Sequence, residues 1–499
     1  MNILLTTDSY KTSHHKMLPE GCTLAYGNAT LRSFKFLPET NYGVSFGQQL
    51  VTIWLHQEFE KFFKNPNAVS EVKEVLSEHL GIDYDVSHFE KLHKLGYLPL
   101  KFKSIEEGSK VPVKTPILTW YNTHPDFAWL PLYLETPISN MLWKPVTTAT
   151  IASLYRENVN EWVSKTDKES PLKDFMIHDF SSRGMSSVQS SMTSGVAFLA
   201  SSMGTDNLPA LYAAKKYYNT GVCAYSVFAS EHSVSSACIS TMGEQGMIEY
   251  YMNQYPDGIL SIVSDTLDLT KVVKPLDGGY LFNLKDKILK RNGKIVVRPD
   301  SSPYPLSPVE MICGYDGELT DRMIEADYPE FYKKGLIECL WDIFGGSINS
   351  QGYKVLDPHI GAIYGEAINL TRQVEIYKRL AVKGFAATNI VMGIGSYTLN
   401  MNSRDTLGIA MKATYVEIDG EGREIFKDPI TDDGTKKSAK GLLMVEESGK
   451  LAVGSSVEYN LVDQVSWEDE GKGALQTIYK DGKFYNQVTL TDIRKRLNG

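Results

Sequence analysis

A histidine and a carboxylate follow two neighbouring apolar runs in the middle of the chain. His232 lies at the end of YSVFASEHS (residues 225–233), and Asp265 follows the next run, LSIVS. The carboxylate could accept a hydrogen bond from one ring nitrogen, which would fix the tautomer and leave the other nitrogen exposed as a nucleophile or a base. The alternative is a structural histidine at the start of a helix, and these residues alone leave both possibilities open.

An arginine and an aspartate are two positions apart in VVRPDSS (residues 296–302). On an extended backbone Arg298 and Asp300 project to the same side. The pair suits a ligand with phosphate and hydroxyl groups, because a guanidinium is a planar donor fork and a carboxylate accepts from ribose hydroxyls. The alternative is a salt bridge at the rim of the fold; Pro299, which stiffens the turn, favours ligand binding.

An aromatic ring and a second arginine lie close together in HDFSSRG (residues 178–184). Phe180 could stack on a planar ligand while Arg183 meets its polar edge, but a core phenylalanine beside a surface arginine explains the pattern equally well. Asp206, in the turn GTDN, is typical of a helix cap. These three residues therefore predict a site only together with their neighbours.

Two glycines follow a strand in VMGIGSYTLNMNSRD (residues 391–405). Backbone N–H groups near Gly393 and Gly395 could hold a phosphate, with Arg404 adding charge. The third glycine of a dinucleotide-binding fingerprint is missing, and the chain has no P-loop motif. A Rossmann or Walker-type site is therefore disfavoured, and phosphate binding by this segment remains a hypothesis.

The elements that must position these residues alternate between short apolar runs and helical segments from about residue 170 to 400. Continuous apolar runs are typical of strands buried on both faces, as in parallel sheets. The runs are FMIHDF, FLASSM, AYSVFAS, LSIVS, KIVVRPD, GAIYG and IVMGIGS. Polar residues cluster at their C-terminal ends, where barrels and open sheets bind substrates: Asp179, Arg183, Asp206, Glu231, His232, Asp265, Arg298, Asp300 and Glu366. The pattern predicts an irregular (β/α) barrel, with the two chain ends forming a second α+β domain.

The flanking segments carry secondary-structure signals without visible chemistry. Residues 47–63 and 150–162 show helical spacing, and LLMVEESGKLAVG predicts two strands around a turn. The pair Asp481-Gly482 suits a type I′ hairpin turn, and Thr491 is expected to cap a last helix.

Composition narrows the class of protein. The 499 residues are 42% hydrophobic and 22% charged, with a net charge of -9, which argues against a general nucleic-acid binder. Five scattered cysteines fit reduced thiols better than a disulfide framework or a zinc site. There is neither a signal-peptide pattern nor an apolar stretch of about 18 residues, so a cytoplasmic protein without a membrane span is expected.

The motifs taken in order resemble the nicotinamide phosphoribosyltransferases nearly end to end. They are TDSYK, HDFSSRG, GTD, YSVFASEHS, SDT, RPDS, YGE, GIGSYT…SRDT and FKDP. The resemblance implies a type II phosphoribosyltransferase fold and a homodimer with shared active sites. The implied reaction joins nicotinamide to 5-phosphoribosyl 1-pyrophosphate with Mg²⁺, giving nicotinamide mononucleotide and pyrophosphate. We expect residues 1–165 and 401–499 to form the α+β domain and 166–400 the barrel; metal ligands are not assigned.

The resemblance also implies roles for individual residues. Phe180 would stack on one face of the pyridine ring and Tyr10 of the other subunit on the second, with Arg183 beside the ring. Asp206 would accept from the carboxamide NH₂ and, as an anion, repel nicotinate. The other residues implied to bind substrate are Ser226, Ser261, Arg298, Asp300, Gly365 and Glu366.

The implied phosphate site combines two segments. Gly395, Ser396 and Arg404 would receive the 5-phosphate together with Arg32 of the other subunit. Lys427 and Lys436 lie in a basic segment that could contact phosphates or simply face solvent.

The resemblance assigns the histidine a covalent role. ATP, an optional partner, would phosphorylate His232, which Asp265 would orient. The resemblance leaves Glu231 unassigned; we expect it to tune or hydrogen-bond its neighbour. Three departures from the family pattern bear on phosphate and ribose binding: Glu366 in place of Asp, Ser302 in place of Gly, and Gly361 in place of an Arg of some members. The alternatives are a nicotinate phosphoribosyltransferase and a catalytically silent binding or signalling relative.

Overall fold

Short runs of β-branched and apolar residues form the strands, and glycine or polar residues end them. The computed structural model describes residues 1–428, 437–448 and 458–498. In chain order its strands are β1 (Cys22–Thr30), β2 (Gly43–Val44), β3 (Leu100–Ser104), β4 (Lys110–Val111), β5 (Pro116–Asn122), β6 (Ile177–Asp179), β7 (Gly204–Thr205), β8 (Phe228–Ala229), β9 (Asp257–Val263), β10 (Asn292–Arg298), β11 (Gly346–Ile348), β12 (Lys354–Leu356), β13 (Ile360–Tyr364), β14 (Ile390–Ile394), β15 (Ala410–Ile418), β16 (Glu421–Glu424), β17 (Leu442–Ser448), β18 (Glu458–Val465), β19 (Gln476–Lys480) and β20 (Lys483–Phe484).

The helices lie mainly between strands of the central region. They are α1 (His14–Met17), α2 (Gln48–Lys64), α3 (Ala68–Leu80), α4 (Ser87–Leu95), α5 (Leu130–Tyr133), α6 (Glu135–Thr166), α7 (Val188–Phe198), α8 (Leu208–Tyr218), α9 (His232–Gln254), α10 (Leu269–Val272), α11 (Tyr280–Asn283), α12 (Lys285–Lys290), α13 (Pro308–Cys313), α14 (Asp321–Ile324), α15 (Glu330–Phe344), α16 (Leu370–Val382), α17 (Ser396–Leu399), α18 (Trp467–Glu470) and α19 (Leu490–Asn498). Helices α2 and α6 confirm the two helical segments expected from spacing. Within the described ranges, none of the helices is long and apolar enough to cross a membrane.

Seven strands of the described residues form a parallel sheet in the order β7-β6-β14-β13-β10-β9-β8. A parallel bridge between Gly204 of β7 and Tyr225, three residues before β8, joins the two ends of this sheet. Helices follow the strands as in a (β/α) barrel, so the C-terminal strand ends gather at one rim. The predicted irregular barrel is confirmed.

Two of the seven predicted strands differ from the expectation. FLASSM is not a strand: Phe198 ends α7, and the strand is Gly204–Thr205 in the segment expected to be a loop. Because α7 is packed between α6 and α8, its end is apolar all round and cannot be told from a buried strand by periodicity. Within AYSVFAS only Phe228–Ala229 pairs with β9. Tyr225 instead forms a bridge with Gly204 of β7, at the other edge of the sheet.

Both chain ends contribute to a second sheet. Its order is β16-β15-β1-β5-β3-β19-β20, so strands from before residue 123 pair with strands from after residue 409. This arrangement confirms an α+β part built from both ends, while the boundaries at 165 and 400 stay predictions.

The C-terminal signals are mostly confirmed. β19 and β20 form a hairpin whose turn residues Asp481 and Gly482 both have positive φ, as a type I′ turn requires. β17 pairs with β18, and the expected partner strand at LAVG lies outside the described residues. Thr491 is not the helix cap: Thr489 exchanges hydrogen bonds with Asp492 before α19.

Candidate active site

A cavity of about 440 Å³ extends from the C-terminal rim into the barrel. It brings together five residues expected to bind substrate: Phe180, Asp206, Ser226, Ser261 and Arg298. Aliphatic side chains from several strands form most of the remaining wall, including Val227, Ile259, Val296, Ile363 and Val391. A concave apolar wall with a few converging polar groups is typical of a site for a planar organic ligand.

The Phe180 ring is held against the backbone of the neighbouring strand. Its N–H donates to Ile394 O at 3.0 Å, and a Cβ added to Gly393 would lie 2.7 Å from the ring atom Cε2. Only glycine therefore lets the ring lie this close to β14. This finding gives Gly393 a role in placing the ring, whereas the sequence suggested phosphate binding.

Asp206 is held by two side chains on its cavity side. His178 Nε2 lies 2.9 Å from Asp206 Oδ1, and Ser226 Oγ donates to the same oxygen. Burial raises the pKa of Asp206, but the bonds from His178 and Ser226 and the charge of Arg298 outweigh burial and lower it. Asp206 is therefore an anion whose Oδ2 accepts no hydrogen bond from the described residues.

His178 was missed as a site residue although its motif was recognised. It stands two positions before Phe180, and the two ring centroids are 4.8 Å apart. The period-2 spacing on a strand, which places both side chains on one face, was the available signal.

Arg298 and Ser261 present buried polar atoms without partners in the part of the chain described. Arg298 donates through Nη2 to Ser230 O, while its Nε and the Ser261 hydroxyl have no hydrogen-bond partner. Burial lowers the pKa of Arg298, and the charges of Asp300 and Asp206 oppose that effect. Unpaired buried polar atoms are costly, so these groups indicate a ligand that would satisfy them.

His232 is the first residue of α9 and lies at the rim beside two carboxylates. Its Nε2 is 3.7 Å from Asp265 Oδ1 and 3.7 Å from Asp300 Oδ2. The side chain is 44% exposed. The sequence therefore correctly placed His232, Asp265 and Asp300 together.

The hydrogen-bonding pattern around the imidazole differs from the expected one. At 3.7 Å the Asp265 carboxylate makes a charge contact with the ring and not a hydrogen bond. The partner of Nδ1 is Thr266 Oγ1 at 3.3 Å, which sequence reasoning missed. Asp265 Oδ2 accepts from the N–H groups of Asp300 and Ser301, at 3.0 and 2.8 Å, so it mainly fixes the loop that carries Asp300.

Glu366 and Ser302, two departures from the family pattern, contact each other. Glu366 Oε2 accepts from Ser302 Oγ at 2.9 Å and from Tyr364 OH at 2.6 Å. The longer glutamate side chain thereby ties the loop after β13 to the loop after β10. Gly365 lies on the other side of this loop, where a Cβ would be 3.6 Å from the Phe180 ring.

The segment expected to bind phosphate adjoins the arginine loop. Gly395 precedes the single-turn helix α17, which begins at Ser396. A Cβ added to Gly184 would lie 2.5 Å from Ser396 Cβ, so the loop that carries the exposed Arg183 packs on the start of α17. Gly395, Ser396 and Arg183 therefore share one stretch of the rim.

Tyr10, Arg32 and Arg404 belong to a second group, outside the lining of the barrel cavity. Arg32 Nε donates to Gly408 O at 3.1 Å, four residues after Arg404, and Arg32 and Lys412 line one depression. Burial lowers the pKa of Lys412; the charge of Glu135 opposes this effect, and the charges of Arg32, Lys427 and Arg404 add to it. Tyr10 is 63% exposed. Partial burial raises the pKa of Tyr10, and the charge of Arg404 opposes that effect. Lys412, inside β15, was missed.

A small depression joins part of this basic group. Arg32 and Lys412 line it together with Lys114 and Lys437, in a volume of about 220 Å³. Lys436 lies outside the described residues.

Two rim carboxylates have structural partners. Asp179 is buried and accepts from Ser181 N–H at 2.9 Å and from Asn207 Nδ2 at 3.2 Å. Glu231 accepts from Ser233 Oγ and makes no hydrogen bond to His232 within the described structure. Glu231 was expected to tune or hydrogen-bond its neighbour His232; the hydrogen bond is not formed, whereas the bond from Ser233 fixes the start of α9, and tuning of the histidine stays a prediction.

The parallel barrel, whose two end strands are joined by the Gly204–Tyr225 bridge, has the architecture of type II phosphoribosyltransferases. Two solved structures share the fold over nearly the whole chain. Nicotinate-nucleotide pyrophosphorylase from Pyrococcus furiosus matches with a TM-score of 0.57 and 16% identity, covering 99% of this chain and 95% of that one. Human nicotinic acid phosphoribosyltransferase matches with a TM-score of 0.56 and 14% identity, covering 98% and 92%.

The sequence comparisons identify the family. The model of the nicotinate phosphoribosyltransferase (NAPRTase) family matches residues 175–483, and the chain belongs to this family. Among its relatives is the nicotinamide phosphoribosyltransferase of Acinetobacter baylyi, 41% identical, with 100% of this chain and 97% of that protein covered. Proteins of the same name from Xanthomonas campestris pv. campestris (30%; 99% and 97% covered) and Mycoplasma pneumoniae (30%; 88% and 94% covered) also match.

Proposed function

We propose that this enzyme is a pentosyltransferase that joins nicotinamide to 5-phosphoribosyl 1-pyrophosphate. The products are nicotinamide mononucleotide and pyrophosphate, in salvage of the pyridine ring for NAD. The observation that carries the choice of base is the Asp206 anion on the cavity wall beside Phe180. An anion there accepts from a carboxamide NH₂ and repels a carboxylate.

The base would lie between two aromatic rings. Phe180 supplies one face, and Tyr10, exposed on this chain, would cover the other face from the second subunit of a homodimer. Asp206 Oδ2 accepts from the carboxamide, and Ser226 and Ser261 lie on the same wall. Arg183 stands at the rim next to the ring.

The phosphoribosyl part would occupy the rim. Arg298 and Asp300 flank the ribose and pyrophosphate, and Gly365 with Glu366 approach the ribose hydroxyls. As the bond to pyrophosphate breaks, positive charge develops on the ribose and negative charge on the leaving group, and pre-oriented arginines stabilise the latter. The base nitrogen then bonds to the anomeric carbon.

The 5-phosphate would be bound by groups from both subunits. Gly395 and Ser396 offer the backbone N–H groups at the start of α17. Because Arg404 and Arg32 lie near the same Lys412, they would reach the phosphate from one and the same subunit, with Lys427 as a further cation of that group.

Magnesium fits the residues present. The described residues hold no group of three His, Cys, Asp or Glu side chains that would bind a metal alone. Mg²⁺ is commonly held by one or two carboxylates plus substrate phosphates, and Asp300, with the unpaired buried Oδ1 of Asp265, supplies such oxygens. When bound, the ion would neutralise the pyrophosphate.

ATP would act through His232. Its exposed imidazole attacks the γ-phosphorus of ATP, ADP leaves, and the phosphohistidine makes the rim more favourable for the phosphoribosyl substrate. Hydrolysis of the N–P bond then drives the condensation. The enzyme is expected in the cytoplasm.

The test is to incubate the purified protein with nicotinamide, 5-phosphoribosyl 1-pyrophosphate and Mg²⁺. We expect nicotinamide mononucleotide and pyrophosphate in equal amounts; no product would support a silent relative instead. The family name keeps nicotinate as the second candidate base. A faster reaction of nicotinate would show that the role given to Asp206 is wrong.

A further inference from the structure

Tyr10, the residue expected to cover the base, belongs to a short segment near the start of the chain. This tyrosine segment, residues 9–17, consists of the 3-10 helix Ser9–Ser13 followed by α1. The Tyr10 ring is exposed, its hydroxyl donates to the adjacent Asp8 at 3.4 Å, and its centroid lies 5.7 Å from that of His14. Because these contacts are local, the place of the ring depends on how the rest of the segment is docked.

The first half of the tyrosine segment is docked by polar contacts. Lys11 is buried, and its ammonium donates to Glu135 Oε2 at 2.6 Å and to Leu132 O at 2.8 Å. His79 Nε2 lies 2.8 Å from Ser9 Oγ. These contacts join the residues around Tyr10 to the start of α6 and to the end of α3.

The second half of the segment is docked by a stack of two imidazole rings. His15 of α1 lies on His88 of α4, with ring centroids 3.7 Å apart and an angle of 10° between the ring planes. His88 is buried, and its centroid lies 3.8 Å from that of Phe89 and 4.9 Å from that of Trp129. The His15 ring therefore closes an apolar pocket that contains His88.

Three of the four nitrogens in this stack are buried without a hydrogen-bond partner among the described residues. They are His15 Nε2 and both nitrogens of His88. The fourth, His15 Nδ1, lies 3.0 Å from Thr12 O, and because a carbonyl only accepts, Nδ1 carries the proton of the neutral ring. A second proton on either ring would place an unpaired charge in the apolar pocket. The stacked geometry therefore requires two neutral rings.

The charged groups around the stack do not offset that cost. Lys16 and Asp85 are both exposed and form an ion pair with each other at 2.9 Å. Tyr84 donates its hydroxyl to a backbone carbonyl and supplies no charge. Burial lowers the pKa of both histidines, that of His88 to about 3, and the charge of His15 adds to the effect on His88.

We propose that His15 and His88 are positioning residues for Tyr10: they hold the tyrosine segment in place while both rings are neutral and release it when the rings take up protons. The inference rests on the proposed function in that Tyr10 covers the base. In the released segment the rings meet water and regain the ordinary histidine pKa of about 6.5. The released state therefore binds protons more tightly, so docking is strongest above about pH 7.5 and weakens as pH falls below about 6.5.

The first measurement is hydrogen exchange of the backbone N–H groups of residues 11–18 in the whole chain, by mass spectrometry at pH 7.5 and 5.5, corrected for the intrinsic pH dependence of exchange. Each ring that must stay neutral when docked contributes about tenfold at pH 5.5, so protection in wild type is expected to fall about 10- to 100-fold. Protection of α2 in the same samples is expected to stay constant, which separates release of the segment from unfolding.

The variants replace the titrating rings with flat apolar ones. His15→Phe combined with His88→Phe is expected to reduce the fall in protection to less than about twofold, and His88→Phe alone to at most about tenfold. His79→Phe, which removes the other histidine in contact with the segment, is the matched control and is expected to keep the fall seen in wild type. An equal fall in wild type and the double variant, or its loss in His79→Phe, would overturn the proposal.

The second measurement connects the segment to the base. Between pH 7.5 and 5.5 the KM for nicotinamide is expected to rise more in wild type than in the double variant, whereas the KM for the phosphoribosyl substrate changes equally in both. Release seen by hydrogen exchange together with equal changes in KM for nicotinamide would contradict the role of Tyr10 in the proposed function and not the docking by the two histidines. Hydrogen exchange needs no turnover, so it tests the stack even in a protein that makes no mononucleotide.

Discussion

His178 Nε2 lies 2.9 Å from Asp206 Oδ1, and the pair forms the wall of the cavity beside the Phe180 ring. The bond fixes the carboxylate so that its other oxygen is available to a ligand. Under the proposed function, base selectivity then depends on two residues that are 28 positions apart in the chain.

We predict that Asp206→Asn lowers kcat/KM for nicotinamide about 10- to 100-fold, since a hydrogen bond to a charged group contributes about 1.5–3 kcal/mol. The activity with nicotinate, no longer repelled, is expected to fall much less. Steady-state kinetics with both bases checks this, with Asp286→Asn at an exposed site as the control. An unchanged ratio of the two kcat/KM values would show that Asp206 does not select the base.

The glycine packed against the Phe180 ring provides a second prediction. Gly393→Ala places a methyl group 2.7 Å from Phe180 Cε2, so the ring must move out of its position. We expect KM for nicotinamide to rise roughly tenfold, with little change in KM for the phosphoribosyl substrate. Gly221→Ala, where nothing lies within 4 Å of the added Cβ, is the matched control. Equal increases in both KM values would point to general damage of the rim.

A buried lysine below the phosphate segment leads to a prediction about pH. Lys144 is 4% exposed, and its ammonium donates to Leu399 O at the end of α17 and to Asn402 Oδ1 at 2.8 Å. Burial lowers its pKa to about 8. The unfolded chain, with an ordinary lysine pKa of about 10.4, therefore binds the proton more tightly between these pH values.

The titration of Lys144 therefore contributes least to the free energy of unfolding below about pH 8. As the pH increases towards 10.4, this contribution raises the free energy of unfolding by at most about 3 kcal/mol. Lys144→Met lacks this contribution. Urea unfolding at pH 7.5 and 9.5 should show a larger gain at the higher pH for wild type than for the variant. The same pH dependence in both proteins would mean that the buried ammonium keeps an ordinary pKa.

The ATP-linked role of the histidine is tested separately from the base chemistry. In His232→Ala, turnover with ATP is expected to equal turnover without it, because the phosphoryl acceptor is missing. Radiolabelled γ-phosphate of ATP should label wild type in an acid-labile form and leave the variant unlabelled. Labelling of the variant would place the phosphoryl group on another residue.

The sequence predicted the barrel because strands buried on both faces leave continuous apolar runs, and it placed His232, Asp265 and Asp300 together because their runs are sequential. It failed at FLASSM, where the buried end of α7 imitates such a run. It also missed Thr266, whose role depends on a side-chain contact that spacing does not encode, and His178, for which the two-residue spacing from Phe180 was the available signal. The contact between Ser302 and Glu366 joins two loops 64 residues apart and is visible only in three dimensions.

The most direct test of the account is a competition between the two bases. Purified protein is given nicotinamide and nicotinate at equal concentration, with 5-phosphoribosyl 1-pyrophosphate and Mg²⁺, and the two mononucleotides are quantified by mass spectrometry. Nicotinamide mononucleotide is expected in at least about tenfold excess, because the Asp206 anion on the cavity wall repels the carboxylate of nicotinate. An excess of nicotinate mononucleotide, or neither product, would contradict it.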